Sequence, residues 1–144
     1  MGLLRLTSAP LITVESRISV FEAVQRMAQR KIGAVVVMEG SVAVGICSER
    51  DIMFRVVVER RDPEKTLISD VMTAPLITIS RKSTADDALK LMLERHIRHL
   101  PVVDIDGNLA GMISIRNLLH EKVAELTDQL DSLEAYFTAD GAGG

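Results

Sequence analysis

The sequence has few aromatic residues and one cysteine, and both shortages exclude classes of protein. Phe, Trp and Tyr make up 3% of the 144 residues and tryptophan is absent, so the stacking platforms that bind single-stranded nucleic acids are nearly unavailable. The one cysteine, Cys47, has no partner for an internal disulfide. With the scattered His96, His99 and His120 it cannot form the four-ligand cluster of a structural zinc site. The sequence therefore predicts an aliphatic core in a reducing compartment.

The sequence also lacks a long apolar run and an excess of positive charge. No stretch approaches the roughly 20 apolar residues that span a bilayer, and the amino-terminal segment lacks the basic start and apolar run of a secretion signal. Seventeen Lys and Arg against twenty Asp and Glu give a formal charge of −3, which argues against nucleic acid as the main partner. We therefore expect a cytoplasmic protein without a membrane partner.

Common catalytic motifs are missing as well. The chain contains no G-x-S-x-G nucleophile elbow, no HExxH zinc motif and no glycine-rich lysine loop of the Walker type. Cys47 lies in an apolar run and is interpreted as a core residue rather than a nucleophile. The sequence predicts neither a catalytic site nor a metal site, and we do not expect an enzyme that acts alone.

What the sequence does contain is an internal repeat. Shifted by 65 residues, it aligns residues 10–13 with residues 75–78 and keeps further identities along the next segment. One extra residue in the second copy changes the shift to 66, and residues 45–51 then align with residues 111–117. Chance similarity between two segments of like composition is the alternative, but identities at both ends of each unit favour a duplication.

Each repeat gives the same order of predicted elements, which is a short strand, a helix, two strands and a second helix. The short strands are the LITV and LITI segments at 11–14 and 76–79. Helices, marked by Ser or Thr at the start and by apolar residues at helical spacing, are predicted at 19–31, 49–59, 84–96 and 116–137. Hairpins with glycine in the turn are predicted at 34–38 with 42–47 and at 100–103 with 109–113. Their nearly continuous apolar runs indicate burial on both faces.

The strongest candidate for a binding site is a motif that occurs once in each repeat. Residues 45–51 are GICSERD and residues 111–117 are GMISIRN, and each segment lies where a strand ends and a helix begins. A helix N-terminus offers unpaired amides, a serine hydroxyl donates to phosphate, and an arginine binds phosphate oxygens with two hydrogen bonds. The candidate residues are Ser48, Arg50 and Asp51, with Ser114, Arg116 and Asn117 as their equivalents.

Asp51 has the chemistry for a different part of a ligand. A carboxylate accepts hydrogen bonds from the two neighbouring hydroxyls of a ribose, and the uncharged Asn117 does this less strongly. The alternative is that Ser48 and Ser114 are ordinary helix N-caps and that the charges belong to a solvated first turn. The occurrence of the motif in both repeats favours a ligand site.

A second basic element distinguishes the two repeats. The second repeat has Arg98 and His99 where the first has Gly33 and Ala34. We therefore predict that Arg98 and His99 meet a phosphate in a cleft between the repeats, and that the two clefts are not equivalent. For His96 the favoured interpretation is a cation that stabilises a helix C-terminus without any ligand.

With both repeats in view, the sequence resembles a tandem pair of cystathionine β-synthase (CBS) domains, also called a Bateman module, in its stand-alone bacterial form. The resemblance is carried by IGAVVVMEG with GICSERD and by HIRHLPVVD with GMISIRN. It implies an α/β (α+β) fold of two β-α-β-β-α repeats packed about a pseudo-twofold axis. It also implies a regulatory module that requires no cofactor, binds an adenosine nucleotide (AMP, ADP, ATP, NAD or S-adenosylmethionine) between the repeats, and signals to an unknown protein partner.

The resemblance implies roles for individual residues. Asp51 would hold the ribose hydroxyls, while Ser48 and Arg50 would lie beside the phosphate. The adenine pocket of that cleft would be lined by main chain near Ile77 and Thr78. The matching set is Ser114, Arg116 and Asn117, with Ile12, Thr13, Arg98 and His99 as cleft neighbours. Asn117 departs from the usual aspartate, so which cleft is occupied stays open.

The implied organisation is repeat 1 at 8–60, a linker at 61–72, repeat 2 at 73–123, a helical extension at 124–137 and a disordered tail at 138–144. The last helix carries an apolar stripe of heptad-like spacing, formed by Leu119, Val123, Leu126, Leu130, Leu133 and Phe137. Members of this family pair two modules through their helices, so we expect a homodimer. Alternatively, the helix packs on its own domain. A constitutive dimerisation scaffold with vestigial clefts is the alternative to a nucleotide sensor.

Overall fold

The first repeat forms a three-stranded sheet with helices against one face. The structure is a computed structural model that describes residues 2–7 and 11–143. Strand β1 (Thr13–Glu15) runs parallel to β2 (Ala34–Glu39), and β2 pairs antiparallel with β3 (Val42–Ser48). Helix α1 (Val20–Arg30) connects β1 to β2, and α2 (Glu49–Ile52) follows β3 and continues into a π-helical turn at Met53–Val57.

The second repeat has the same topology. Its sheet has the order β4 (Ile79–Ser80), β5 (His99–Val103) and β6 (Leu109–Ser114), with a parallel first pair and an antiparallel second pair. Helix α3 (Ala85–Arg95) connects β4 to β5, and α4 (Ile115–Gly143) follows β6. The predicted α/β class and the order of elements in both repeats are confirmed.

The first helix of each repeat begins and ends with the same local devices. Ser19 caps α1 by accepting the Glu22 amide at 3.1 Å, and Thr84 caps α3 by accepting the Asp87 amide at 3.1 Å. Asp87 accepts the Thr84 amide in return, and this hydrogen bond lowers the pKa of the Asp87 carboxyl. Lys31 and His96 end the two helices in the left-handed conformation, with φ of 54° and 55°. Each chain segment then turns directly into the next strand.

The two sheets pack face to face. On β2, Val35 and Val37 belong to the core under α1, whereas Ala34 and Val36 belong to a separate cluster that includes Met112 of β6. All four β2 residues are buried, as the apolar run predicts. The alternation of strand side chains therefore builds one core beneath the helices and a second core between the repeats.

Each repeat also receives a short segment that precedes the first strand of the other. A 3-10 helix at Leu3–Leu6 inserts Leu3 into the core of the second repeat, and the Leu3 amide donates to the Arg81 carbonyl at 3.0 Å. A 3-10 helix at Ile68–Asp70 inserts Ile68, the repeat equivalent of Leu3, into the core of the first repeat. This reciprocal exchange gives the pair its pseudo-twofold relation. It also means that part of the segment predicted as a linker, residues 61–72, is core.

Glycine is required where these exchanged segments cross a strand. A Cβ atom on Gly45 would lie 2.7 Å from the carbonyl oxygen of Thr73, and one on Gly111 would lie 2.6 Å from Cγ2 of Thr7. Thr73 and Ile46 also exchange backbone hydrogen bonds of 2.7 and 3.0 Å. The crossing holds Thr73 beside the end of β3, where the candidate site lies.

Several boundaries differ from the sequence-based expectations. Strands β1 and β4 begin later than predicted, because Leu11 and Leu76 pack between the sheets instead of extending the strands. The helix predicted at 49–59 changes register, and its Val58 amide donates to the Met53 carbonyl. Helix α4 continues to Gly143, whereas a disordered tail is expected from residue 138; the helical conformation extends through Gly141, although glycine is a poor helix former. Residues 8–10 and 144 lie outside the described residues.

Candidate functional site

The two copies of the motif occupy equivalent strand-to-helix junctions. Ser48 ends β3 and its hydroxyl accepts the Asp51 amide at 3.4 Å, while Ser114 ends β6 and accepts the Asn117 amide at 3.2 Å. Both serines therefore act as helix N-caps, as the alternative interpretation held. Both also line a cleft between the repeats. At Ser114 the capping role and the ligand role are compatible, because the cap uses one lone pair of the hydroxyl and leaves its proton to donate. At Ser48 the hydroxyl also donates to Asp51 Oδ2, so donation to a ligand would replace that hydrogen bond.

Asp51 is held on both of its carboxylate oxygens. Oδ2 accepts hydrogen bonds from the Ser48 amide at 2.9 Å and from the Ser48 hydroxyl at 3.2 Å, and Oδ1 accepts one from the Thr73 hydroxyl at 3.0 Å. Arg55 lies 3.9 Å from Oδ1 and donates to two main-chain carbonyls of the crossing segment. The Asp51 side chain is 14% exposed. Asp51 thus fastens the crossing segment to α2, and Oδ1 keeps acceptor capacity for a ligand hydroxyl.

Asn117 makes the equivalent contact with different chemistry. Its side-chain amide donates to the Leu6 carbonyl at 3.0 Å, which fastens the amino-terminal segment to α4. A carboxylate at this position has no hydrogen to donate to a carbonyl oxygen. Asparagine rather than aspartate at residue 117 therefore has a structural reason in this chain. Asp51 accepts a hydrogen bond from Thr73, whereas Asn117 donates one to Leu6, and this difference makes the two motifs unequal.

The larger cleft, of about 920 Å³, lies between the second-repeat motif and the start of β2. Of the predicted site residues it contains Ile12, Arg98, His99, Ser114, Arg116 and Asn117. It also contains charged residues that the sequence did not single out as ligands, namely Arg30, Lys31 and Glu49. Residues of both repeats therefore line this cleft.

The smaller cleft, of about 200 Å³, lies between the first-repeat motif and the start of β5. Of the predicted site residues it contains Ser48, Arg50, Asp51, Arg98 and His99. It also contains His96, which the sequence indicated only as a helix-terminal cation, together with Thr73 and Phe54. The Arg50 guanidinium lies 5.9 Å from the centre of the Phe54 ring, so the ring supports the side chain at the cleft.

Glu49, Arg98 and His99 form a shared wall between the two clefts. The sequence predicts Arg98 and His99 beside Asn117, whereas in the structure both residues line both clefts. The reason is the reciprocal packing, which brings the first turn of α2 against the start of β5. Each of these three side chains is therefore in reach of a ligand on either side.

His99 is the most buried titratable group of the shared wall. Burial lowers the pKa of its imidazole, the positive charge of Arg98 lowers it further, and Glu49 acts in the opposite direction. A Cβ atom on Gly33 would lie 3.2 Å from His99 Nε2. The His99 imidazole therefore occupies the space that a side chain at residue 33 would need. His99 is thus a neutral donor and acceptor at neutral pH rather than a second cation beside Arg98.

Three predicted residues lie outside the lining of both clefts. Ile77 packs against the core of the second repeat, and Thr78 is exposed just before β4. Thr13 is exposed and lines a separate depression of about 470 Å³ with Ile12 and Arg26. Ile77 is therefore held by core packing, whereas Thr13 and Thr78 are exposed outside the two clefts.

Sequence reasoning missed residues whose position depends on the exchanged segments. Thr73 and Arg55 hold Asp51 and its surroundings but are remote from the motif in sequence. Lys31 lies in the larger cleft because it is the left-handed residue that turns α1 into β2. The alignment of the repeats pairs Lys31 with His96, which lines the smaller cleft, and this equivalence could have identified Lys31 as a cleft residue.

The described part of the chain gives no sign of a metal centre or a membrane span. Within residues 2–7 and 11–143, no three His, Cys, Asp or Glu side chains are placed to hold a metal ion. No helix in those ranges is both long enough and apolar enough to cross a membrane.

Known proteins resemble both the sequence and the fold. The sequence model of the CBS domain matches residues 5–58 and again residues 68–124. The chain belongs to the CBS-domain family. The CBS domain-containing protein CBSCBSPB2 of Arabidopsis thaliana is 35% identical over 137 residues, or 94% of this chain, but the match spans 25% of that protein. The CBS domain-containing protein YhcV of Bacillus subtilis is 35% identical over 106 residues, which is 74% of each chain.

Solved structures agree with this CBS-pair assignment. A putative signal-transduction protein with CBS domains from Burkholderia ambifaria superposes with a TM-score of 0.80 and 32% identity, covering 86% of this chain and 95% of that chain. The CBS domain protein PAE2072 from Pyrobaculum aerophilum, in complex with AMP, superposes with a TM-score of 0.74 and 27% identity over 81% of this chain and 89% of that chain. AMP has therefore been observed bound to PAE2072, a protein that shares the fold of this CBS pair.

Proposed function

We propose that this CBS pair is a regulatory module that binds an adenosine nucleotide between its repeats and signals through a change in their arrangement. The observation that carries the proposal is the composition of the clefts: each combines a serine-capped helix start with arginines, and Arg98 and His99 reach both. These groups suit phosphate, and Asp51 suits ribose hydroxyls. The AMP complex of PAE2072 supports the same ligand class.

In this proposal Ser48, Arg50 and Asp51 bind ligand in the smaller cleft and Ser114, Arg116 and Asn117 in the larger. A ligand that touches both repeats changes their arrangement only when it binds one arrangement more tightly than another. The exchanged segments provide the connection, because Asp51 and Asn117 each contact both a cleft and a segment from outside their own repeat.

Ligand extraction and thermal melting test this function on one preparation. The protein is purified without added nucleotide, an acid extract is analysed by mass spectrometry, and melts are recorded with AMP, ADP, ATP, NAD and S-adenosylmethionine. A ligand at about 100 times its Kd stabilises the fold by roughly 2.7 kcal/mol, which raises the Tm by several degrees. An adenosine ligand in the extract or a raised Tm is the expected result. An empty extract with flat melts at millimolar ligand contradicts the proposal.

A constitutive dimerisation scaffold is the second candidate, and the exposed apolar surface favours it. On α4 the side chains of Leu126 and Leu130 are 58% and 64% exposed, and Phe54 and Val57 are exposed on the π-helical turn that follows α2. Such a surface in a chain of this size marks an interaction site, and a second copy supplies a matching apolar face. We therefore propose a homodimer in either case. Only the sensor requires that the clefts bind a ligand.

A further inference from the structure

The linings of the two clefts carry different charges. The larger cleft contains one carboxylate, Glu49, and four cations, namely Arg30, Lys31, Arg98 and Arg116. The smaller cleft contains two cations and two carboxylates, namely Arg50, Arg98, Glu49 and Asp51. With histidines uncharged, the larger lining has a formal charge of +3 and the smaller a formal charge of zero.

The cations of the larger cleft have not been neutralised by the protein itself. Within the described residues, none of its four cationic side chains takes part in an ion pair, and all four are exposed. In the smaller cleft, by contrast, Arg50 lies over the Phe54 ring and Asp51 brings a carboxylate into the lining. The excess positive charge of the larger cleft is therefore available to a ligand.

The two clefts also differ in size. The larger, at about 920 Å³, lies near the upper end of the range of roughly 300–1,000 Å³ that small-molecule sites occupy, and the smaller, at about 200 Å³, lies below it. A longer phosphate chain therefore has room in the larger cleft. In the smaller cleft it would be confined near Glu49 and Asp51, whose negative charges repel it.

We infer that the larger cleft selects an adenosine nucleotide with two or three phosphates over AMP, and that the smaller cleft does not. The inference rests on the proposed function, since it takes adenosine nucleotides as the ligands. Arg98 and Arg116 bind phosphate oxygens, and Arg30 and Lys31 supply the further positive charge that a second and third phosphate require.

Calorimetric titration tests the inference. AMP, ADP, ATP and inorganic tripolyphosphate are titrated without divalent cations into the wild-type protein, Arg116→Gln and Arg30→Gln. Arg61→Gln is the matched control, because it removes the same charge from an exposed side chain outside both clefts. The folding of each variant is checked by thermal melting.

In the wild-type protein, ATP is expected to bind about tenfold more tightly than AMP at one site, and tripolyphosphate more weakly than ATP because it lacks the nucleoside. Arg116→Gln and Arg30→Gln should each lower the ratio of ATP to AMP affinity by about threefold, while Arg61→Gln leaves it unchanged.

Equal affinity for AMP and ATP at every site overturns the inference and leaves the proposed function intact. The inference also fails, with the proposed function intact, when tripolyphosphate binds as tightly as ATP or when both cleft variants keep the wild-type ratio. Absence of binding by every adenosine ligand overturns the proposed function, and the inference with it.

Discussion

At the scale of the residue, Asp51 combines a structural and a proposed recognition role. Its carboxylate accepts hydrogen bonds from Ser48 and from Thr73, which lie on different segments, and it lines the smaller cleft. The sequence indicates a ribose acceptor or a charge in a solvated first turn, and it does not predict the contact with Thr73, which lies 22 residues along the chain. The hydrogen bonds show that the fold depends on this side chain as well, and the two roles need different variants to separate them.

Two substitutions at Asp51 separate these roles. Asp51→Ala removes the contacts to both segments and should lower the free energy of unfolding by about 1–3 kcal/mol, measured by urea denaturation. In Asp51→Asn the side chain still accepts from Ser48 and donates to the Thr73 hydroxyl, so stability should be nearly kept. Calorimetry should show that Asn weakens nucleotide binding about tenfold, because a ribose hydroxyl loses a charged acceptor. Wild-type affinity in Asp51→Asn would refute the ribose role.

The equivalent position in the second repeat has the opposite requirement. Asn117→Asp, which gives the second repeat the residue type that the first repeat has at Asp51, should destabilise the protein at pH 7 because a carboxylate cannot donate to the Leu6 carbonyl. Repulsion from this carbonyl should raise the pKa of the new carboxyl in the folded state above its unfolded value of about 3.9. The protonated form can donate, so the loss relative to wild type should shrink as the pH falls to about 4. Urea unfolding at both pH values measures the difference, and a variant as stable as wild type at pH 7 would contradict the assigned contact.

Cys47 is a core residue, and its burial suppresses the reactivity of the thiol. Desolvation raises the pKa of its thiol to about 12, with a further contribution from the negative charge of Asp51. The reactive thiolate is therefore scarce at pH 8 in the folded protein. A thiol reagent such as Ellman's reagent should modify the folded protein slowly and the urea-unfolded protein rapidly. Fast modification of the folded protein at pH 8 would place Cys47 outside the core.

At the scale of the element, periodicity in the sequence predicted most helices and strands. The predicted boundaries were wrong where an element packs against the other repeat. Ser19 and Thr84 identified the starts of α1 and α3, because N-capping is a local interaction. The late starts of β1 and β4 follow from the packing of Leu11 and Leu76 between the sheets, which depends on the partner repeat. The 3-10 helix at Leu3–Leu6 was not predicted, because its apolar residues are buried by the opposite repeat. A short helical turn is expected from the sequence at residues 69–72, and the structure has a 3-10 helix at Ile68–Asp70. The burial of Ile68 in the core of the first repeat was not predicted.

Helix α4 provides the test of dimerisation at this scale. Leu126→Glu combined with Leu130→Glu places two charges in the exposed apolar stripe and should change a dimer to a monomer in light scattering after size exclusion. Ala124→Glu combined with Ala135→Glu is the matched control, because the 3.6-residue period places these residues on the opposite side of α4. The control should stay dimeric. A wild-type protein that is monomeric at micromolar concentration would contradict the proposal.

At the scale of the whole molecule, the repeat was visible in the sequence but the connection between the two clefts was not. The alignment of residues 45–51 with residues 111–117 identified equivalent motifs. It could not show that Arg98 and His99 face both clefts, since that depends on how the two sheets pack. It also could not distinguish Asn117 as a donor to Leu6, because the amino-terminal segment reaches α4 only through the exchange.

The central claim is that an adenosine nucleotide binds between the repeats, and a backbone-amide titration followed by nuclear magnetic resonance tests it most directly. With the 15N-labelled protein and AMP or ATP, we expect saturable shifts at the amides of residues 48–51 or 114–117, together with those of Arg98 and His99 in the shared wall. Shifts at the amides of Leu130 and Leu133, which lie on α4 outside the clefts, would show whether ligand binding changes the exposed apolar stripe of that helix. A spectrum unchanged at millimolar nucleotide, or shifts confined to α4 with both junctions silent, would contradict nucleotide binding between the repeats.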